Sequence, residues 1–593
     1  MQNDQQKRLL IVVAITTLLW LVWSQFFMGK EAPVPPAADG GVATPLLDAA
    51  GPSPAPAPST VDGGVAAGPE APVAPAPVPE KKVTFSTETQ ELVFTNQGGA
   101  LDTARVKNGG AWPQRKFQSR KKDEKGELQP VDMVRARAGL PLPGSTEIRG
   151  ELALPFGATY EVEQTGDSVT FRTQTADLSF EKRYRLDPRS YELRVDVTLT
   201  NRASAPKQAT LALVYPAWLD PKTEETGSFF SPPVESSQAV CRHGDSNESL
   251  AGGKEAEKKS FTGPVRFAGF SERYFMGVFF PRFIEGTSCV IDNEPSGSRT
   301  ATIEVDLGTL APGQSASREL GLYIGPKSHG ELERVSHENL IGAPITPLGQ
   351  EPQPGTLAKV DPELTKAIDF GWWAVICKVL LEVMKVFQKG VVNWGIAIVL
   401  LTVLVKAILY PLSVKQMASM EAMRRLQPQM DALTKKYEND KEKLNMERMR
   451  LFQENKVNPF GGCLPLLIQM PVWIALYTTL QNSFELYREP LIGFWISDLT
   501  AHDPFYILPL AMGVTMFITQ KMQPTMGDPT QAKIMLYFMP IFFTFLMLSL
   551  PAGLTLYIFT NNLLSIAQQK YLQRKFARQA EKPKGEKPKG AKK

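Results

Sequence analysis

The sequence predicts a multidomain membrane protein: an α-helical bundle of six transmembrane helices, one N-terminal anchor plus a five-helix core, with an antiparallel β-sandwich outside the cytoplasm between them. An uncharged apolar run opens the chain, a long middle part alternates apolar and polar residues, and the last third holds five apolar segments joined by loops that are alternately basic and not. The totals hide this, because 43% apolar residues, 21% charged residues and a net charge of +4 over 593 residues are near the globular average. So balanced a charge argues against nucleic acid as the main partner. Four cysteines without a C-x-x-C exclude a zinc ribbon and a dense disulfide framework.

Residues 9–28 carry no charge and are long enough to cross a hydrocarbon core of ~30 Å. Lys7 and Arg8 precede them and no small-residue cleavage site follows, so 1–30 reads as an uncleaved anchor with a cytoplasmic N-terminus. Residues 31–80 hold 13 Pro and 13 Ala and neither Lys nor Arg, the composition of an extended linker.

Residues 81–360 are expected to form the β-sandwich. Tyr191, Leu193, Val195, Val197 and Leu199 alternate with Glu192, Arg194, Asp196, Thr198 and Thr200, as in a strand buried on one face. Gly166-Asp167, Asp187-Pro188 and Asn201 supply turns. Cys241 and Cys289 are a candidate disulfide pair, which the sequence leaves open, and His243 reads as a loop residue rather than half of a metal site. With no nucleophile elbow, phosphate loop or metal motif, no catalytic residue, metal or cofactor is expected.

In 361–390, Ile368, Trp372, Val375, Val379, Leu380 and Met384 recur at helical spacing, interrupted by Lys378, Glu382, Lys385 and Lys389. That pattern predicts an amphipathic helix on the outer membrane surface. The core, 391–573, has spans at 394–412, 464–480, 505–520, 534–550 and 553–568. Ten Lys and Arg lie in the loop 413–461, only Arg488 in 481–504, and ten more from Lys570 onward, which places both termini in the cytoplasm. The tail, 574–593, reads as basic and disordered, suited to ribosomal RNA or anionic lipid. Spans of 17 residues reach only ~25 Å, so the bilayer should thin around them.

Lys406 sits within the second span, and no Asp lies in any of the five core segments. A charge at mid-bilayer costs at least ~2.5 kcal/mol, so it is a functional candidate by default; position alone serves equally well for a side chain that snorkels to the cytoplasmic interface. Thr402, one turn earlier, makes that helix face polar. Gln469, Thr515, Thr544, Thr555, Thr560, Asn561, Asn562, Ser565 and Gln568 each read as interhelical glue, and together as the lining of a polar groove. In the loop 413–460, Met417, Met420, Met423, Leu426, Met430 and Leu433 make one apolar stripe, while Leu444, Met449 and Phe452 make a second. This predicts a helical hairpin whose pliable thioethers accept varied apolar partners.

The runs NWGIAIVLLTVLVKAILYPLSVKQMASM, KVNPFGGCLPLLIQMPVWIALY, DPFYILPLAMGVTMFITQKMQP and LPAGLTLYIFTNNLLSIAQQ resemble the YidC/Oxa/Alb family of membrane protein insertases, in the Gram-negative form with a large periplasmic domain. The resemblance implies an inner-membrane location, a supersandwich-like periplasmic domain and a hydrophilic groove open to the cytoplasm. The groove receives the polar part of a nascent membrane protein while its apolar part enters lipid. It implies a substrate groove of Lys406, Thr402, Gln469, Thr515, Tyr557, Thr560 and Asn561, with Lys406 where the family commonly has Arg and Ile558 where a second aromatic follows Tyr557. It also implies a client-capturing hairpin carrying Met417, Met420, Met423, Met430 and Met449. Its implied partners are nascent membrane proteins, membrane lipids, the Sec translocon and, through the tail, the ribosome. The alternatives are a lipid scramblase and a solute transporter with a periplasmic sensor domain.

Overall fold

The computed structural model describes residues 79–581 apart from 110–111, 123–124, 126, 222–236, 252–254, 284, 342–360, 438–439, 456, 458–463 and 524–532. The anchor, nearly all of the linker and residues 582–593 lie outside the described residues.

Where apolar and polar residues alternate, the chain forms strands. In Glu192–Asn201, Leu193, Val195, Val197 and Leu199 are buried while Arg194 is exposed. This strand lies within a nine-stranded antiparallel sheet in the order Ser246–Ala251, Gln238–His243, Val265–Ser271, Phe275–Pro281, Ser315–Pro326, Glu192–Asn201, Leu178–Leu186, Ser168–Gln174 and Glu161–Thr165. A five-stranded antiparallel sheet, Glu257–Thr262, Thr287–Asn293, Ser298–Leu310, Lys207–Trp218 and Thr146–Gly150, faces it. The core lies between them, with Tyr215 stacked on Phe270 at 6.5 Å and a Cβ at Gly277 excluded by the same tyrosine. Cys241 and Cys289 are joined in a disulfide that ties one sheet to the other, their Cα atoms 6.5 Å apart. His243 is not a loop residue: it ends its strand and stacks on Phe261 at 4.4 Å.

The alternation carries one charge inward. Lys182 lies on the buried face of Leu178–Leu186 and is 0% exposed. Its ammonium donates to Gly144 O at 2.6 Å, Thr146 Oγ1 at 2.7 Å and Gly98 O at 3.2 Å, which satisfies all three of its donors. Burial pushes its pKa well below the usual lysine value.

After a short helix α1 (His329–Ile341) come α2 (Ala374–Val391), α3 (Trp394–Ile408), α4 (Tyr410–Lys436), α5 (Lys441–Glu454), α6 (Leu464–Asn482), α7 (Ile507–Lys521), α8 (Ile534–Met547) and α9 (Ala552–Glu581). The surface helix predicted over 364–389 is broken in two. A 3-10 turn, Leu364–Ala367, is followed by Gly371 at φ +59, capped by Asp369 Oδ1, and only then by a second turn and α2. One face of α2 buries Cys377, Leu380, Leu381 and Met384, while Val375, Val379 and Val386 stay exposed beside Trp372.

The second predicted span is also shorter than expected. Pro411 cannot donate to the carbonyl four residues back, so α3 ends at Ile408 and the chain bends by 63° into α4. At the other end, α9 runs to Glu581 where a disordered tail was expected from 574. Its last turns are strong helix formers, and Leu572 packs with Met417 and Met420 of α4.

Among the described residues no single helix is long and apolar enough to cross a membrane, and only the bent pair α3 and α4 passes together. The helical part nevertheless exposes Ile396, Val403, Leu404 and Ile408 on α3, Leu510, Val514 and Ile518 on α7, and Phe538, Ile541 and Phe545 on α8. Large apolar side chains exposed on three helices are what a helix bundle offers to lipid rather than to water.

Candidate functional site: a polar row inside the helical part

Helix α9 packs against both α3 and α7. Tyr557, Asn561, Ser565 and Gln568 are spaced by 4, 4 and 3 residues, so they lie on one face of it. Gln469 of α6 donates to the Tyr557 hydroxyl. Lys406 of α3 donates to Ser565 Oγ at 2.8 Å, and that hydroxyl donates in turn to Asn561 O at 2.7 Å. Asn561 Oδ1 and Gln568 Nε2, in the same row, are buried without a hydrogen-bond partner among the described residues. A second face of α9 holds α7: Asn562 Nδ2 donates to Thr515 Oγ1 at 3.5 Å and Gln569 Nε2 to Met522 O at 3.0 Å.

The predicted groove residues therefore separate into two kinds. Lys406, Gln469, Tyr557 and Asn561 meet along the α9 row, and Thr560 is half-buried on the same helix. Thr402 and Thr515 give their hydroxyls to Ile398 O and Met512 O of their own helices at 2.7 and 2.8 Å, and both are buried. Both hydroxyls are thus turned back onto their own helices, and Thr515 in addition accepts from Asn562 of α9. Ser565 is the residue the sequence reading counted without singling out, although its spacing from Tyr557 and Asn561 was the available signal.

The hairpin forms, with Asp440 capping α5 through Lys443 N at 3.0 Å. Its methionines are not displayed as expected. Met417, Met420, Met423 and Met430 are buried; of the five predicted, Met449 is exposed, at 44%, and Met446 beside it on α5 is exposed at 61%. Leu572 and Phe576 of α9 cover the first two, and Leu426, Met430 and Phe452 close the hairpin on itself.

A third feature escaped the sequence altogether. The loop after α6 is clamped to the β domain. Lys116, 0% exposed, donates to Phe484 O at 3.0 Å and Glu485 O at 2.6 Å, and pairs with Glu489 at 3.0 Å. Arg115 reaches Arg488 O and Glu489 at 2.7 Å each, and Tyr274 stacks on Tyr487 at 4.2 Å. Burial pushes the Lys116 pKa down, and Glu489 pulls it back up.

These features define a membrane-embedded helical protein with a β-rich domain fastened to one end of its bundle and a cation-bearing polar row inside it. Two family models match, described as the 60Kd inner membrane protein over residues 386–580 and the YidC periplasmic domain over 82–383. A membrane protein insertase YidC of Anaeromyxobacter sp. strain Fw109-5 is 40% identical over 84% of this chain and 85% of its own. One from Anaeromyxobacter dehalogenans strain 2CP-C is 39% identical over 96% of this chain and 98% of its own. A crystal structure of an active YidC insertase aligns with 83% of this chain and 92% of its own at 19% identity and a TM-score of 0.35. The chain belongs to the YidC family of membrane protein insertases, inner-membrane proteins with a periplasmic domain that are not enzymes.

Proposed function

We propose that this chain inserts nascent membrane proteins by drawing their polar segment along the α9 row, open to the cytoplasm, while the apolar segment passes into lipid, alone or beside the Sec translocon. In this reading the anchor at 9–28 and five core spans make six transmembrane helices, both termini are cytoplasmic, and the β domain is periplasmic. The observation that carries it is Lys406, whose ammonium, inside an aliphatic helix, meets a serine hydroxyl and no carboxylate among the described residues. An acidic or carbonyl-rich client segment would be a better partner than Ser565. Helices α3 and α7 have 15 residues each, ~22 Å of rise against ~30 Å of hydrocarbon, which lowers the barrier to a polar chain by thinning the bilayer. The hairpin methionines would capture clients once α9 lifts from α4, and the basic end of the chain would meet the ribosome.

The test is insertion of a small single-span client into vesicles containing only this protein. Lys406→Arg should preserve insertion, while Lys406→Ala and Lys406→Glu should reduce it at unchanged protein level. Equal insertion by all four proteins would overturn the role of the row. Labelled-lipid flipping in the same vesicles without client separates insertion from scrambling.

A further inference from the structure

We propose that the turn 491–496, together with the elbow between α2 and α3, dips into the outer leaflet of the lipid bilayer. This rests on the family's inner-membrane location and periplasmic domain, not on the insertion mechanism. The loop after α6 leaves its clamp on the β domain at Glu489, which places it on the periplasmic side. It then folds back on itself, Leu491 N donating to Ile496 O at 3.0 Å and Trp495 N to Ile492 O at 2.9 Å.

Asn393 holds this turn against the start of α3. Its Nδ2 donates to Leu491 O at 3.1 Å, while its Oδ1 caps Ile396 N at 3.0 Å. The approach is close, since a Cβ on Gly395 would run into Leu491. The turn therefore stands at the level of the first turn of α3, where Ile396 begins the exposed apolar residues of that helix.

What the turn and the elbow show outward is apolar. Phe494 is 87% exposed and Val392 80%, with Ile492 and Val391 also exposed. Residues 490–497 and 390–397 carry no charge. The nearby carboxylates turn inward. Asp503, 1% exposed, accepts the Trp495 indole N–H at 2.8 Å and the Phe505 and Leu508 N–H groups at 3.0 and 2.7 Å. Asp498 accepts the Arg488 and Thr500 N–H groups at 3.2 and 2.9 Å. Large apolar side chains grouped in this way mark a surface with a partner other than water.

Val392 is a second, independent sign. It ends α2 in the left-handed region, at φ +55, where Gly or Asn is usual and a β-branched residue is strained. In water its side chain gains nothing in return; among acyl chains it gains its burial. A bilayer is the occupant, because the patch continues the apolar residues that α3 offers to lipid and carries no charge with which to orient a protein partner. With Glu489 clamped to Lys116 only two residues before the turn, this contact sets how high the β domain rides above the membrane.

The test uses the full-length protein in phosphatidylcholine vesicles, with Cys377 and Cys463 replaced by Ala. Nitroxide labels are placed singly at Phe494→Cys, Val392→Cys and Lys258→Cys, three exposed changes that disturb no packed residue. Electron paramagnetic resonance then compares their collisions with oxygen, which concentrates in lipid, and with a nickel chelate, which stays in water. The labels at 494 and 392 should favour oxygen, whereas the label at 258, on the edge strand Glu257–Thr262, should favour nickel. If the label at 494 or at 392 reads as the one at 258 does, the proposal is overturned. Line broadening that grows with the labelled fraction would assign the patch to a second copy of the chain and overturn it as well. Insertion is not measured, so failure of the insertase reading would leave this result standing.

Discussion

Lys116 and Glu489 meet at 3.0 Å although 373 residues of chain separate them, and the lysine is fully buried where they touch. One residue belongs to the β domain and the other to the loop leaving α6, so the pair fixes two parts of the molecule in one geometry. Lys116→Ala would leave the Phe484 and Glu485 carbonyls without this donor and Glu489 with Arg115 alone, at a cost of about 1–3 kcal/mol. Limited proteolysis should then cut the loop 483–490 faster than in the unaltered protein, and unchanged cleavage would show that the aromatic contacts of Phe484 and Tyr487 suffice.

Ser565→Ala removes the hydroxyl that accepts from Lys406 without removing the charge. Insertion of the single-span client should fall by about tenfold at most, less than for Lys406→Ala, because the one hydrogen bond lost leaves the charge in place and is worth about 1.5 kcal/mol. A larger loss for Ser565→Ala than for Lys406→Ala would move the central role from the cation to the hydroxyl.

The disulfide closes a loop of 48 residues between two sheets. Replacing Cys241 and Cys289 together by Ala should lower the stability of the β domain by about 2–4 kcal/mol. Thermal unfolding with and without reductant checks this, since reductant should shift only the unaltered protein.

Burial pushes Lys327 down to about 8, and neighbouring Arg273 lowers it further while Asp369 raises it. The folded value lies below the unfolded one of 10.5, so between the two the unfolded chain holds the extra proton. Stability should therefore rise as pH climbs from about 8 to 10.5, and Lys327→Met should flatten that slope in denaturant titrations.

A Cβ on Gly513 would run into Thr544 Oγ1, which marks the close approach of α7 to α8. Gly513→Leu should force the helices apart by the width of a side chain, at a cost of about 1–3 kcal/mol. Cysteine cross-linking between the two helices should become less efficient.

Strand after strand of the β domain was legible because a half-buried strand must alternate, and the end of α3 was legible in Pro411, although the apolar run beyond it carried the expected span four residues too far. Lys116 and Lys182 were not legible. Alternation treats a lysine as solvated, and only the carbonyls and glutamate brought in from distant segments make its burial tolerable. The methionine stripe was read correctly as apolar and wrongly as free, because its cover, Leu572 and Phe576, lies 140 and more residues away. Lys406 could be placed on a helix, but its bond to Ser565 depends on how α3 crosses α9.

Four polar side chains rise along α9 at steps of 4, 4 and 3 residues, or ~6, ~6 and ~4.5 Å. An extended polypeptide repeats on one side every ~6.6 Å. In the proposed reading the helix is a ladder whose rungs nearly match the stride of the chain it carries. A client could release one rung as it takes the next, so that each step risks about one hydrogen bond, near 1 kcal/mol, rather than the full desolvation of its polar segment. Movement of that kind needs no fuel and has no preferred direction of its own; direction comes from the apolar segment leaving sideways into lipid.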